Sequence, residues 1–356
     1  MSVKRSHSVS ATSSASGSKP GVIPVKEALF YRYNNGELHC VLCPHNCMIT
    51  AGQTGRCGVR KRTGDKLYAL TYATHASLAV DPIEKKPLYH FYPGKGILST
   101  GTYGCNFICR HCQNWEISQV KDKHKLETIR ILTGEQIVEL AKQERSVGVA
   151  YTYNEPLINY EWLFEMSKLV HKAGMVNVVV TNGFINKEPL SCLAEQIDAA
   201  NVDLKAFSEG FYRKICGGAL KPVLNSIESM LSSGIHVELT TLLIPGHNDS
   251  AEEIVQLVNW IARLDKAIPL HFSRYFPKYK MDIPVTDEET LIRAYDIAKT
   301  RLDYVYLGNY GDDKYGNTYC PGCKALLISR VGYEIEVKGL TGKKCTSCGY
   351  EVNLII

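Results

Sequence analysis

The chain has 356 residues, 45% of them apolar and 22% charged, with a net charge of +5. That usage excludes whole-chain disorder and is ordinary for a globular protein with a large core. The longest apolar runs, such as Val178–Val180 with its neighbours, fall far short of the ~18–20 residues a membrane helix needs. The charge lacks the large basic excess of a nucleic-acid binder.

Residues 1–24 form a tail with eight serines in the first twenty positions and no acid there. Such composition reads as disorder, with an organelle transit peptide as the alternative reading. No apolar signal-peptide core is present, so the expected location is the cytoplasm. The thirteen cysteines are then metal ligands or catalysts rather than a disulfide scaffold.

Residues 25–95 are cysteine-rich. The stretch Tyr31–Leu38 alternates around Asn35-Gly36, a hairpin signal. Cys40, Cys43, Cys47 and Cys57 follow at C-x2-C-x3-C-x9-C spacing, which reads as metal-binding with no metal specified. The Pro- and Gly-punctuated sequence up to Pro93-Gly94 reads as a covering loop. Lys85, Lys86 and His90 within it are expected to be solvated.

From 96 to 312 strands and helices alternate. Strands are expected at Gly96–Thr102, Gly148–Tyr153, Val176–Thr181, Ala200–Leu204, His236–Ile244, Leu270–Tyr275 and Tyr304–Leu307. Helical spacing marks Glu135–Glu144, Leu157–Lys172, Pro222–Leu231, Ala251–Leu264 and Glu288–Arg301. This alternation gives parallel strands, as a partial barrel or a doubly wound sheet. In either, chemistry collects at the C-terminal ends of the strands. Residues 313–356 carry Cys320/Cys323 and Cys345/Cys348, the four-cysteine spacing of a zinc ribbon. An auxiliary iron–sulfur cluster is the rival reading.

Directly after the first strand of this region stand Cys105, Cys109 and Cys112, spaced C-x3-C-x2-C. Three thiolates on one loop can wrap a corner of a [4Fe–4S] cluster and leave one of its four irons open. An open metal position marks a catalytic site. Two cysteines are left over. Cys192, among Leu190, Leu193 and Ile197, reads as core, and Cys216, before Gly217-Gly218, as an inert thiol with a reactive one as the alternative.

The C-x3-C-x2-C loop resembles that of radical S-adenosylmethionine (SAM) enzymes. The resemblance implies an α/β fold, a partial (β/α)6 TIM-type radical SAM barrel, with an N-terminal Cys-rich cover and a C-terminal zinc-ribbon-like module. It implies a [4Fe–4S] cluster on Cys105, Cys109 and Cys112 that cleaves SAM to a 5′-deoxyadenosyl radical for hydrogen abstraction from an unidentified substrate. Tyr153-Asn154-Glu155-Pro156 stands where the family usually has Gly-Gly-Glu-Pro, so Asn154 and Glu155 would meet the SAM amino group. Glu155 could otherwise serve the following helix's N-terminus. Thr181-Asn182-Gly183 and Asp203-Leu204-Lys205 resemble the pyruvate formate-lyase activating enzyme group. There the Asp-x-Lys pair contacts SAM, which points to Asp203 and Lys205; the bland reading is a buried ion pair. Val180 replaces an acid of that group's cation site. The group's sixth-strand Pro-Tyr-His is replaced by His271–Tyr275, where a polar contact is expected. His111 takes a place beside the adenine.

The ordered series Cys40–Cys47, Gly55-Arg56-Cys57, Asp81–Leu88, Tyr151–Pro156 and the terminal Cys-x2-Cys pairs is similar to the radical SAM component of the AmmeMemoRadiSam system. That implies Memo-like and AMMECR-like partners and a flavodoxin- or ferredoxin-type reductant, with no nucleic acid and no membrane. Two rivals stand beside this reading: a glycyl-radical-enzyme activase, and a non-catalytic zinc-binding scaffold.

Overall fold

A computed structural model of the chain describes residues 25–119 and 130–356. The Ser-rich tail lies outside the described residues. By internal contacts the chain divides into two units. The first comprises Gly96–Asn106 and Asn114–Asp198 with the chain up to Asp81; the second comprises Pro82–Lys95, Phe107–Gln113 and Ala199–Ile356.

In the first unit, three strands, β1 (Gly96–Gly101), β2 (Gly148–Tyr151) and β3 (Val176–Thr181), lie side by side with β2 central. Val149 of β2 pairs in parallel with Leu98 on one side and Asn177 on the other. All of β2 and nearly all of β1 are buried, as expected of parallel strands covered on both faces. Helices α1 (Gly134–Gln143) and α2 (Tyr160–Lys172) connect them, and α3 (Lys187–Ala194) follows β3. Thr133 caps α1 in a reciprocal box with Gln136. The helix expected from Leu157 starts as a 3-10 turn, Pro156–Asn159, because proline is accommodated only in a first turn. In α3, Pro189, Leu190 and Leu193 face inward while Cys192 is exposed. The expectation that Cys192 is core is therefore wrong: residues 190 and 193 share a helix face and 192 lies off it.

The N-terminal part of this unit begins with the expected hairpin. Tyr31–Asn34 pairs with Glu37–Cys40, and Asn35 and Gly36 both have positive φ, as the two-residue turn requires. A three-stranded antiparallel sheet of Lys26–Glu27, Lys66–Ala69 and Arg60–Thr63 follows. Arg60 and Glu161 of α2 form an ion pair at 2.9 Å with both side chains 1% exposed. Glu161 also accepts the backbone N–H of Leu29.

In the second unit, β4 (Ala199–Asp203), β5 (His236–Leu243), β6 (Leu270–Arg274) and β7 (Val305–Gly308) run parallel in that order. Helices α4 (Leu220–Ser232), α5 (Ala251–Leu264) and α6 (Glu288–Lys299) connect them. Ser250 and Asp287 cap α5 and α6 by accepting backbone N–H groups. Among the described residues neither set of strands closes into a barrel.

The segment Pro82–Lys95 is not a solvated loop. Lys86 and His90 are buried, and of the basic residues singled out there only Lys85 is exposed. The reason is Glu238 on β5. Its buried carboxylate accepts the backbone N–H groups of Tyr89 (3.0 Å) and His90 (2.7 Å) and meets the rings of His236 (3.1 Å) and His271 (2.7 Å). His90 in turn contacts Tyr306 and the carbonyl of Asn353. His271 is thus spent within the protein near the start of β6. The terminal module is a small antiparallel sheet, Thr318–Tyr319, Leu326–Val331 and Glu334–Val337. Its Leu327, Ile328, Val352 and Leu354 share one core with Tyr304 and Tyr306. Among the described residues no helix is long and apolar enough to cross a membrane.

Candidate active site

The cysteine loop begins where β1 ends. Gly104 has φ +86°, and a Cβ there would lie 2.6 Å from the Cys57 carbonyl oxygen. Only glycine admits both the backbone turn and that close approach. Cys105 Sγ receives the Asn182 amide at 3.7 Å, and the same amide donates to Asn106 Oδ1 at 2.8 Å. Asn106 donates to the Phe184 carbonyl (2.8 Å), and its own carbonyl meets the His45 ring (2.8 Å). The N-terminal cysteine region and the Asn182 turn therefore hold the loop's first residues.

The end of β2 is tied to the same point. Tyr153 adopts φ +71°, a conformation costly for a bulky residue. This is the position where the resemblance expects glycine. Tyr153 is anchored by its hydroxyl, which donates to Asp81 at 2.5 Å. Asn154 accepts the Thr102 N–H (3.0 Å) and donates to the Gly104 carbonyl (2.9 Å). Glu155 is 2% exposed. It accepts Leu157 N–H (3.0 Å), capping the 3-10 turn, and also the Thr181 hydroxyl (2.7 Å) and Asn182 N–H (2.8 Å). Asn154, Glu155, Thr181, Asn182 and Cys105 thus form one connected cluster at the ends of β1, β2 and β3.

The rest of the loop belongs to the second unit. Ile108 N–H donates to the Cys216 carbonyl (2.8 Å) and Arg110 N–H to that of Ile215 (3.1 Å). Cys109 is buried. A hydrogen bond from the Cys216 thiol lowers the Cys109 thiol's pKa, against burial, and the Lys205 charge adds to the effect. Lys205 Nζ pairs with Asp203 Oδ2 at 2.9 Å at the end of β4. Burial works against the Lys205 ammonium, but Asp203 and the nearby thiols more than offset it, so it stays charged. His111 is buried, and among the described residues its Nδ1 has no hydrogen-bond partner. Burial pushes its pKa down to about 3, helped by Lys205 and His247.

The donor set of the loop suits an iron–sulfur cluster. The loop offers three thiols, and the thiolate form of Cys109 is favoured by its surroundings. His111 offers an orphaned buried nitrogen that a bound group would satisfy.

Two further thiol sets lie elsewhere. The ligand atoms of Cys320, Cys323, Cys345 and Cys348 all lie within 4.8 Å of one another. Cys345 Sγ accepts from the Ser347 and Cys348 backbone N–H groups, and Cys348 Sγ from that of Tyr350. In the N-terminal set, Cys43 Sγ accepts from His45 N–H and Cys57 Sγ from Val59 N–H. Burial raises the Cys43 thiol to about 12 and Cys57 to about 11, with the neighbouring thiols adding. Asn106, Asn182 and Cys216 did not stand out as site residues from sequence. Thr181-Asn182-Gly183 at a strand end was a usable signal for Asn182; Cys216 had none.

Residues 99–260 match the model of the Radical SAM superfamily. An uncharacterized protein of Methanocaldococcus jannaschii is 40% identical over 338 residues, 93% of this chain and 100% of that protein. A second protein of that organism, named as a glycyl-radical enzyme activating enzyme, is 27% identical over 210 residues, 57% of this chain and 77% of its own. The 4-hydroxyphenylacetate decarboxylase activating enzyme of Clostridioides difficile is 24% identical over 163 residues, 43% of this chain and 51% of its own. With its cysteine loop at the end of the first parallel strand and this match across the strands beyond it, the chain belongs to the radical SAM superfamily.

Proposed function

We propose that Cys105, Cys109 and Cys112 hold a [4Fe–4S] cluster and that the chain binds SAM at its open iron. The observation that carries this is the C-x3-C-x2-C loop at the end of β1, inside the matched region. When bound, the cluster supplies the electron that splits SAM into methionine and a 5′-deoxyadenosyl radical. The chain's own residues bind and orient. Glu155 and Asn154 set the strand ends and receive the SAM amino group; Asp203 and Lys205 contact its polar parts; His111 faces the adenine. The functional parts are then 25–95, 96–312 and 313–356.

The four terminal thiols are read as a zinc site, since four thiolates leave no open position. The N-terminal four are read as a second metal site. Support for it comes from the backbone N–H to sulfur bonds two residues on from Cys43 and Cys57, the same turn found at Cys345 and Cys348.

The narrower assignment is the radical SAM component of an AmmeMemoRadiSam system with Memo-like and AMMECR-like partners, resting on the ordered motif series. A glycyl-radical-enzyme activase is the second reading, favoured by the names of two relatives. Either needs a flavodoxin- or ferredoxin-type reductant. Protein purified anaerobically should bind about four iron and four sulfide in the loop site and, once reduced, convert SAM to 5′-deoxyadenosine. A Cys105/Cys109/Cys112 triple alanine variant with unchanged iron and sulfide would show the assignment to be wrong. Pull-down of a Memo-like protein or of a glycyl-radical enzyme separates the two narrower readings.

A further inference from the structure

Cys216 lies outside the three-cysteine motif, yet the fold brings it to the loop. It is fully buried and ends a π-helical turn, Tyr212–Cys216. Such turns are rare and concentrate at functional sites. The turn closes on Gly217, in the left-handed conformation. At Gly218 a Cβ would lie 2.2 Å from the Phe107 ring, so the chain there approaches the cysteine loop as closely as backbone can. Two backbone hydrogen bonds, from Ile108 and Arg110, bracket Cys109 and end on Cys216 and Ile215. The Tyr212 ring meets Phe107 edge-on, and its hydroxyl accepts Lys205 N–H at 3.0 Å. Between these fixed points the Cys216 thiol is hydrogen-bonded to Cys109 Sγ, and the Lys205 charge acts on both sulfurs, opposed at Cys109 by Asp203.

We propose that Cys216 is a positioning residue for the cluster: its thiol donates a hydrogen bond to Cys109 Sγ and, with the Lys205 ammonium, raises the cluster's reduction potential. The inference rests on the proposed cluster on Cys105, Cys109 and Cys112. Reduction adds one electron, supplied by an external reductant, to a cluster whose thiolates are already negative. A donor and a cation next to a ligand sulfur stabilise the reduced form more than the oxidised one. Burial keeps water from replacing the thiol as donor, so the effect depends on residue 216.

The test is a redox titration, followed by electron paramagnetic resonance, of full-length wild type, Cys216→Ser and Cys216→Ala at matched iron and sulfide content. Cys216→Ala should titrate at lower potential, with the reduced-to-oxidised ratio at a fixed potential falling by up to about tenfold, 59 mV for one electron. Cys216→Ser keeps a donor and should fall between the alanine variant and wild type. A merely structural role would change stability and leave the potential alone. In wild type, an exchangeable proton should couple to the reduced cluster, and it should disappear in Cys216→Ala. If the alanine variant does not fold, the wild-type proton coupling and the serine shift carry the test. Equal potentials in folded variants, or no exchangeable proton, overturn the proposal. Iron loss on replacing Cys216 also overturns it, because the thiol is then a ligand. Wild type that binds no iron overturns the cluster assignment itself, an outcome distinct from equal potentials on intact clusters.

Discussion

Replacing Glu155 by Gln removes one charge and little volume, but it disturbs a buried carboxylate that holds three donors. Oε1 accepts from Leu157 N–H and the Thr181 hydroxyl, and Oε2 accepts from Asn182 N–H. Glutamine has one acceptor oxygen and an NH2 group. With its oxygen at the Oε1 position, the NH2 faces the Asn182 N–H. With the oxygen at Oε2, the NH2 faces the Leu157 N–H. The Thr181 hydroxyl can rotate to adapt; the backbone donors cannot. One buried donor is left unpaired in either orientation, at about 1–3 kcal/mol of stability. In the first orientation Asn182 also loses the anchor that holds its amide on Cys105 and Asn106. If the carboxylate also receives the SAM ammonium, a charge-assisted bond of ~1.5–3 kcal/mol goes with it, and SAM affinity falls roughly tenfold to a hundredfold. Chemical denaturation and SAM titration of wild type and Glu155→Gln, at matched iron content, measure both effects. A stability loss with an unchanged SAM dissociation constant would reduce Glu155 to a capping and tethering residue. No change in either would refute the reasoning from its three donors.

Glu161→Gln should destabilise the protein by about 3–5 kcal/mol, because it leaves the buried Arg60 guanidinium without its charge partner; a denaturation midpoint near wild type would contradict this. Burial lowers the His90 pKa to about 4 from 6.5, so the native ring stays neutral while the unfolded one takes up a proton between those values. Stability should therefore be full above pH 6.5 and fall as pH drops towards 4, by roughly 3 kcal/mol from this group. His90→Gln should flatten the pH dependence of unfolding over that window. On the proposed metal assignment, Cys323→Ser should abolish metal binding by the terminal thiols while leaving the iron content of the loop site unchanged, read by metal analysis of variant and wild type side by side. Because the terminal module shares its core with Tyr304 and Tyr306, metal loss should also lower the stability of the second unit.

Patterns that act over a few residues were legible in the sequence. Burial of parallel strands on both faces makes apolar runs, so Val176–Thr181 was found with its observed ends and other strands within a residue or two. Asn35-Gly36 announced its hairpin because few other residues accept positive φ twice in succession. The cysteine spacing pointed to the superfamily that residues 99–260 match, since several thiolates on a short stretch of chain form a local pattern. Features that depend on distant chain segments were not legible. Lys86 and His90 read as a solvated basic run, yet Glu238, some 150 positions later, takes the backbone N–H groups of Tyr89 and His90 and draws the segment inward. The closeness of Cys216 to the loop was not legible either, because the π-turn and Gly218 that bring it there have no sequence period. A strand's pattern records which faces are buried; which distant residue supplies the partner is decided only when the chain closes on itself.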